Sequence, residues 1–256
     1  MAGRYSEVME LVLLTAIVLL GTCVQGLAGM GFGMIAVPIL VVTAGAHYGI
    51  LWGNICGGLV TLLLFVTGFR DINWYRFRLL MLSALPALFA TVVALRFVPD
   101  RVFSIFVGII MLVMVFFSIF APRFRAIPVL SGSLIFGFLG GMMSALVAQS
   151  GPVMAAYSQT TRWTQREFAA TLQPLFLCFN IIVVVSKICF GGQSAVLTSL
   201  PAPTIAAILV AILVGTVISR LLKKYVKPQW ARNLALALAT FGAVRVIISV
   251  FFPGLP

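Results

Sequence analysis

Apolar residues run along this chain in long blocks separated by short polar connections. The blocks lie near residues 9–28, 48–69, 79–98, 102–121, 128–146, 169–188, 197–219 and 231–251. Each approaches the roughly 20 residues an α-helix needs to cross the hydrocarbon core of a bilayer. Two shorter apolar blocks, 34–45 and 152–161, follow places where small and turn-forming residues interrupt the pattern. The first interruption is QGLAGMGFGMIAVP over residues 25–38, and the second is GGMMSALVAQSGPVM over 140–154. The short blocks have the length of half-helices or re-entrant segments. Backbone released from helical pairing inside a membrane persists only where protein or a water-filled cavity satisfies it.

Laying Gly33 on Gly151 brings the blocks of the two halves into the same order, with a few extra residues before the last helix of the second half. Side-chain identity between the halves is slight, so the correspondence is one of hydropathy. The expected fold is an all-α polytopic membrane protein built as an inverted repeat. Each half holds four transmembrane helices and one short re-entrant or half-helix segment. The expected halves are 1–122 and 123–256.

Composition agrees with a membrane class. The chain is 62% hydrophobic and 9% charged, with mean hydropathy +1.18, which excludes an ordinary soluble domain. The block at 11–27 leads into more membrane sequence and reads as a retained helix rather than a cleaved signal. The formal net charge of +12 comes from residues scattered over short loops, so orientation bias explains it better than nucleic-acid binding.

With the 70–78 loop placed in the cytoplasm, and each short segment returning the chain to the side it came from, twelve basic residues lie inside. These are Arg70, Arg76, Arg78, Arg123, Arg125, Arg162, Arg166, Arg220, Lys223, Lys224, Lys227 and Arg232. Five remain outside: Arg4, Arg96, Arg101, Lys187 and Arg245. Both termini are then outside and equivalent loops fall on opposite sides. The charge-poor loop at 191–194 also falls outside, where a plain eight-span count would not place it.

In an inverted repeat the two interruptions meet near the bilayer midplane, the usual place of a transporter's substrate site. A short helix starts after each, near Met34 and at Pro152. Pro152 suits a first helical position, with Ser150 or Gly151 as cap. Helix starts carry unpaired N–H groups and partial positive charge, so two that converge make an anion cradle without an intramembrane arginine. Gly29, Gly31, Gly33 and Gly151 would let a ligand approach the backbone, and Gln149 and Ser150 could add side-chain donors. Close helix packing is the alternative reading of the glycines. Asn54 and Asn180, deep in apolar blocks, are candidate contacts or interhelical glue, and Gln25 and Gln173 share that position. Pro38, Pro86 and Pro174 should kink helices.

The acidic residues Glu7, Glu10, Asp71, Asp100 and Glu167 sit in loops or at helix edges, so a carboxylate relay for a coupling ion is not expected. His47 reads as an outer-loop residue. Lys187 and Arg245 read as snorkelling to the interface, with lining of an anion exit path as the lesser alternative, and Trp52, Trp74, Trp163 and Trp230 as interface anchors. Cys23, Cys56, Cys178 and Cys189 read as small buried residues. No catalytic set, metal ligand cluster or cofactor motif is evident, so the expected partners are a small anion and membrane lipid.

Residues 26–38, Ser150-Gly151-Pro152 and the 68–74 stretch GFRDINW resemble the motifs of the TauE/SafE family of sulfite and organosulfonate exporters, also grouped as TSUP transporters. The first looks like the family's glycine motif ending in proline, the second like its Gly-Gly-Pro. The third is similar to the Gly-x-Val-Asp-Trp loop after the second helix. Phe32 interrupts the first glycine run, and Gln149-Ser150 stands where the second usually carries glycines. The resemblance implies a bacterial inner-membrane exporter of a sulfur oxyanion or small sulfonate. The residues by themselves imply only a small anion. A small-anion channel is the alternative, with a membrane enzyme or assembly factor behind it.

Overall fold

The computed structural model describes residues 2–120, 127–190 and 201–251. Arg123, Arg125 and the 191–194 loop of the charge argument lie outside these, as do the side chains of Arg4, Glu7, Glu10, Asp100 and Arg232. Among the described residues the chain is helical without strands: α1 (Ala2–Ala28), α2 (Phe32–Gly68), α3 (Trp74–Leu95), α4 (Asp100–Phe120), α5 (Val129–Val147), α6 (Gly151–Thr160), α7 (Gln165–Cys189), α8 (Ala202–Leu222) and α9 (Pro228–Phe251). A 3₁₀ turn, Phe69–Asp71, precedes α3. Six of the helices are long and apolar enough to cross a membrane by length and composition.

Helix α2 is a folded-back hairpin rather than a rod. Gly45 stands at φ 79, ψ 165, a conformation closed to most L-residues. The chain reverses there. Methyl groups built on Gly49 and Gly53 would press on the backbone of Leu40 and Val41 and on the side chain of Val37. The two expected blocks, 34–45 and 48–69, are therefore the two arms of one element, and the break falls at Gly45 rather than at Pro38. Pro86 and Pro174 lie inside α3 and α7.

Helix packing pairs α1 with α8, α3 with α5, α2 with α7 and α4 with α9. Lipid tails are as apolar as leucine, so tight van der Waals contact between small residues must hold such pairs. A Gly137-x-x-x-Gly141 spacing lets α5 lie directly on α3. A methyl at Gly141 would come 2.7 Å from the Ala84 carbonyl oxygen, and one at Gly137 2.5 Å from that of Leu80. Gly215 does the same between α8 and α1, 2.9 Å from the Leu19 carbonyl oxygen.

Several expectations about single residues change. Trp52 and Trp163 are buried, whereas Trp74 and Trp230 are exposed as interface anchors should be. Trp52 is held inside α2, and Trp163 meets Tyr157 and Phe168 edge to face. Cys23 and Cys56 are buried, but Cys189 is exposed at the end of α7. His47 is not in a loop: it is the second residue after the Gly45 turn, half-buried, with Nε2 3.2 Å from the Val98 carbonyl oxygen. Lys187 does not snorkel; it is 2% exposed.

Candidate functional site

The two interruptions meet. A methyl on Gly33 would press on the Ala148 carbonyl oxygen and lie 2.9 Å from Gln149 Cβ, and one on Gly151 would lie 3.2 Å from Met30 Cβ. Each break thus packs its glycine against the other's backbone or first side-chain atoms. Gly29 and Gly31 hold φ of 83 and 131, and Ala148 is left-handed at φ 49, so both helices stop before the next begins.

Each new helix opens toward the junction. The first residues of a helix have N–H groups without intrahelical acceptors. In α2 the Phe32 N–H is capped by Gln25 Oε1 at 3.2 Å, and the first backbone bond is Ile35 N–H to the Gly31 carbonyl. Gly33 and Met34 therefore present free positions of the opening turn. In α6 the first backbone bond is Met154 N–H to the Ser150 carbonyl. Ser150 stands at the cap without a side-chain hydrogen bond, Gly151 opens the helix, and Pro152 has no N–H to leave unsatisfied.

Between these starts lies a cavity of about 30 Å³, room for about two water-sized occupants. Its lining includes Gly31, Gly33, Met34, Gln149, Ser150, Gly151 and Asn180 from the expected set. Gly29, Asn54 and Pro152 are not brought to it. Gly29 packs on Ala169, and its carbonyl accepts from Gln173 Nε2 at 3.1 Å. Asn54 donates to the Ile50 carbonyl at 2.8 Å, within its own helix.

Sequence reasoning missed Met30, Phe32, Gly57, Thr61, Ser144, Ala148 and Phe176 as lining residues, and noted Gln25 without assigning it. Gly57 and Thr61 share a helical stripe with Asn54, which was the available signal. No lining side chain is charged. Gln149 is 5% exposed and its Oε1 has no hydrogen-bond partner. An amide oxygen accepts, so what Oε1 lacks is a donor such as water; the Nε2 end of the amide is the part that can donate to an anion.

Two larger pockets flank the cavity, of about 560 and 280 Å³. The larger shares Gln25 with it and carries Arg166 and Lys223; the smaller shares Met30 and carries Arg162. Both include Gln165 and Pro228, so they open at the same end of the bundle. Asp71 in the larger pocket is held by Arg166, Nε to Oδ2 at 2.8 Å. The balance at both mouths is basic, which raises the local concentration of anions.

A polytopic helical protein with a small polar cavity at its centre and basic pockets leading toward it belongs to membrane transport. The sulfite exporter TauE/SafE family matches residues 13–246, nearly the whole chain. The chain belongs to that family, whose members are membrane transporters. No curated protein and no solved structure gives a significant match.

Proposed function

We propose that this protein exports a small anion, a sulfur oxyanion such as sulfite or a small organosulfonate, across a bacterial inner membrane. The observation that carries this reading is the cavity at the paired breaks, which offers backbone N–H groups and amides without any carboxylate. Anions favour helix starts, and a site without acidic side chains does not repel them. Gly31, Gly33, Met34, Gln149, Ser150, Gly151 and Asn180 bind the anion, and Gln25 and Met30 separate it from the basic pockets.

The two halves, 1–122 and 123–256, act as inverted repeats that rock about this site. Support comes from the packing. Exchanging α1 with α5, the first arm of α2 with α6, its second arm with α7, α3 with α8 and α4 with α9 turns the α1–α8 pair into the α5–α3 pair. The same exchange leaves the α2–α7 and α4–α9 pairs in place. Both termini lie outside in this scheme, and the basic pockets face the cytoplasm. A potential negative inside favours exit of an anion by about 2.3 kcal/mol per charge per 100 mV, so no coupling ion is required.

The test is uptake into proteoliposomes of sulfite, sulfate, thiosulfate, sulfoacetate, taurine and lactate, each over a concentration series. Saturable flux of a sulfur anion, with counterflow from vesicles preloaded with the same anion, is the expected result. Flux that rises without limit and shows no counterflow would make the cavity a channel.

A further inference from the structure

Among the described residues, Gln25 is the one that lines both the central cavity and the larger basic pocket. The two spaces lie end to end. On α2 the wall passes from Thr61 of the cavity to Leu64 of the pocket, and on α7 from Phe176 to Gln173. Each pair is three residues apart in sequence, about 4.5 Å along a helix axis. The Gln25 side chain at this boundary is buried, and its Oε1 accepts the Phe32 N–H at 3.2 Å. Phe32 offers a hydrogen there, so the atom facing it must be the amide oxygen. Phe32 also lines the cavity, and its N–H belongs to the opening turn of α2, where an anion would be held. An oxygen of the protein therefore occupies a donor that the substrate needs.

The helix start has other ties that hold it in place. Gly29, within the break, packs on Ala169 of α7, and its carbonyl accepts from Gln173 Nε2 at 3.1 Å. Ile35 N–H bonds the Gly31 carbonyl at 3.2 Å, which closes the first turn of α2. Gln25 can thus withdraw while the turn stays. Hydrogen bonds to a charged acceptor are roughly twice as strong as neutral ones, so an anion at this boundary outcompetes an amide oxygen. We infer that Gln25 gates the central cavity from the basic pocket. Its amide oxygen holds the place of an anion oxygen at Phe32 while the site is empty, and gives it up as the anion enters. The empty cavity is then closed toward the pocket, and a solute must accept a hydrogen bond more strongly than an amide to open it. This inference rests on the transport reading above, to which it adds a step that selects for charge.

The experiment is equilibrium dialysis of radiolabelled sulfite with the detergent-solubilised full chain, beside an anion-free thermal melt, for Gln25→Met and Gln25→Glu. Methionine keeps the length of the side chain and loses the competing oxygen. Gln25→Met should melt lower than the unmodified protein yet bind sulfite roughly twofold to tenfold more tightly, the contribution of one neutral hydrogen bond. Glutamate has nearly the same shape and brings to the helix start the charge that an anion would bring. Gln25→Glu should melt no lower and bind sulfite at least about tenfold more weakly. A residue that only caps the helix would lose stability in Gln25→Met without any gain in affinity. Unchanged or weaker sulfite binding by a folded Gln25→Met protein, or unchanged binding by Gln25→Glu, would overturn the gate and leave the central site intact. Should Gln25→Met not fold, Gln25→Ala takes its place with the same expectation. Absence of sulfite binding by the unmodified protein would remove the transport reading and this inference together.

Discussion

Gly33→Ala tests the meeting of the two breaks more sharply than any change to a polar side chain. The added methyl would press on the Ala148 carbonyl oxygen and lie 2.9 Å from Gln149 Cβ. The first of these is backbone and cannot rotate away. Restoring ordinary contact, at carbon separations of about 3.5–4.0 Å, means moving the breaks apart by roughly 1 Å. Forcing a methylene into a packed site costs about 1–3 kcal/mol. Replacing glycine by alanine in a helix returns about 0.5–1 kcal/mol. The net is about 1.5 kcal/mol, which lowers the thermal midpoint by roughly 3–6 °C for a chain of this size. If the separation persists with the anion bound, affinity falls about tenfold, since 1.4 kcal/mol is a factor of ten. Gly58→Ala is the control, because its methyl would touch only Asn180 Cβ, at 3.4 Å. Equilibrium dialysis with radiolabelled sulfite, beside a thermal melt of the same detergent-solubilised samples, reads both quantities. A Gly33→Ala protein that binds sulfite and melts like the unmodified one would refute the idea that the breaks are interlocked around the site.

Three further outcomes are expected. Ser150→Leu should weaken sulfite binding at least about tenfold by filling the cavity, while membrane insertion stays normal by fractionation. Arg76 donates to Thr161 Oγ1 at 2.8 Å and lies over the Trp163 ring at 4.7 Å, tying α3 to the turn between α6 and α7. Its replacement by alanine should cost about 1–2 kcal/mol in a thermal melt, and lysine should rescue little because it lacks the planar fork. Asp71→Asn breaks the pair with Arg166, whose side chain is 82% exposed; the thermal midpoint should stay where it is within the error of the melt, as for other exposed pairs.

The helices and the meeting of the breaks could be read before any coordinates, because both depend on local chemistry. Apolar blocks must be helical in a bilayer, and glycine clusters mark where helices stop or touch. What escaped the reading depends on neighbours distant in sequence. Asn54 lies on the same stripe of α2 as Gly57 and Thr61, so its azimuth was right, but it sits a turn beyond the cavity. Periodicity fixes the face of a helix and not its depth. Lys187 sits near a helix end, where a lysine ordinarily reaches water. It is buried with its Nζ over the ring of Phe103 from α4, and no property of residues 180–189 announces that ring. Gln25 could be seen as a buried amide; that it caps Phe32 follows only once α1 and α2 are folded against each other.

On the proposed function, glycine and amide chemistry at paired helix starts would hold an anion with no charged side chain in the lining. In that reading the membrane potential acting on the anion's own charge sets the direction of the driving force. An anion held by backbone dipoles carries its own charge through the field, and no protein carboxylate has to be protonated in step with it.

The most direct test of the central claim is sulfite efflux from proteoliposomes under a potassium-diffusion potential, with pH equal on both sides. The predicted result is saturable efflux that speeds up as the interior is made more negative, and that Gly33→Ala slows. Efflux that ignores the potential and appears only with an imposed proton gradient would contradict uncoupled anion export through the paired breaks.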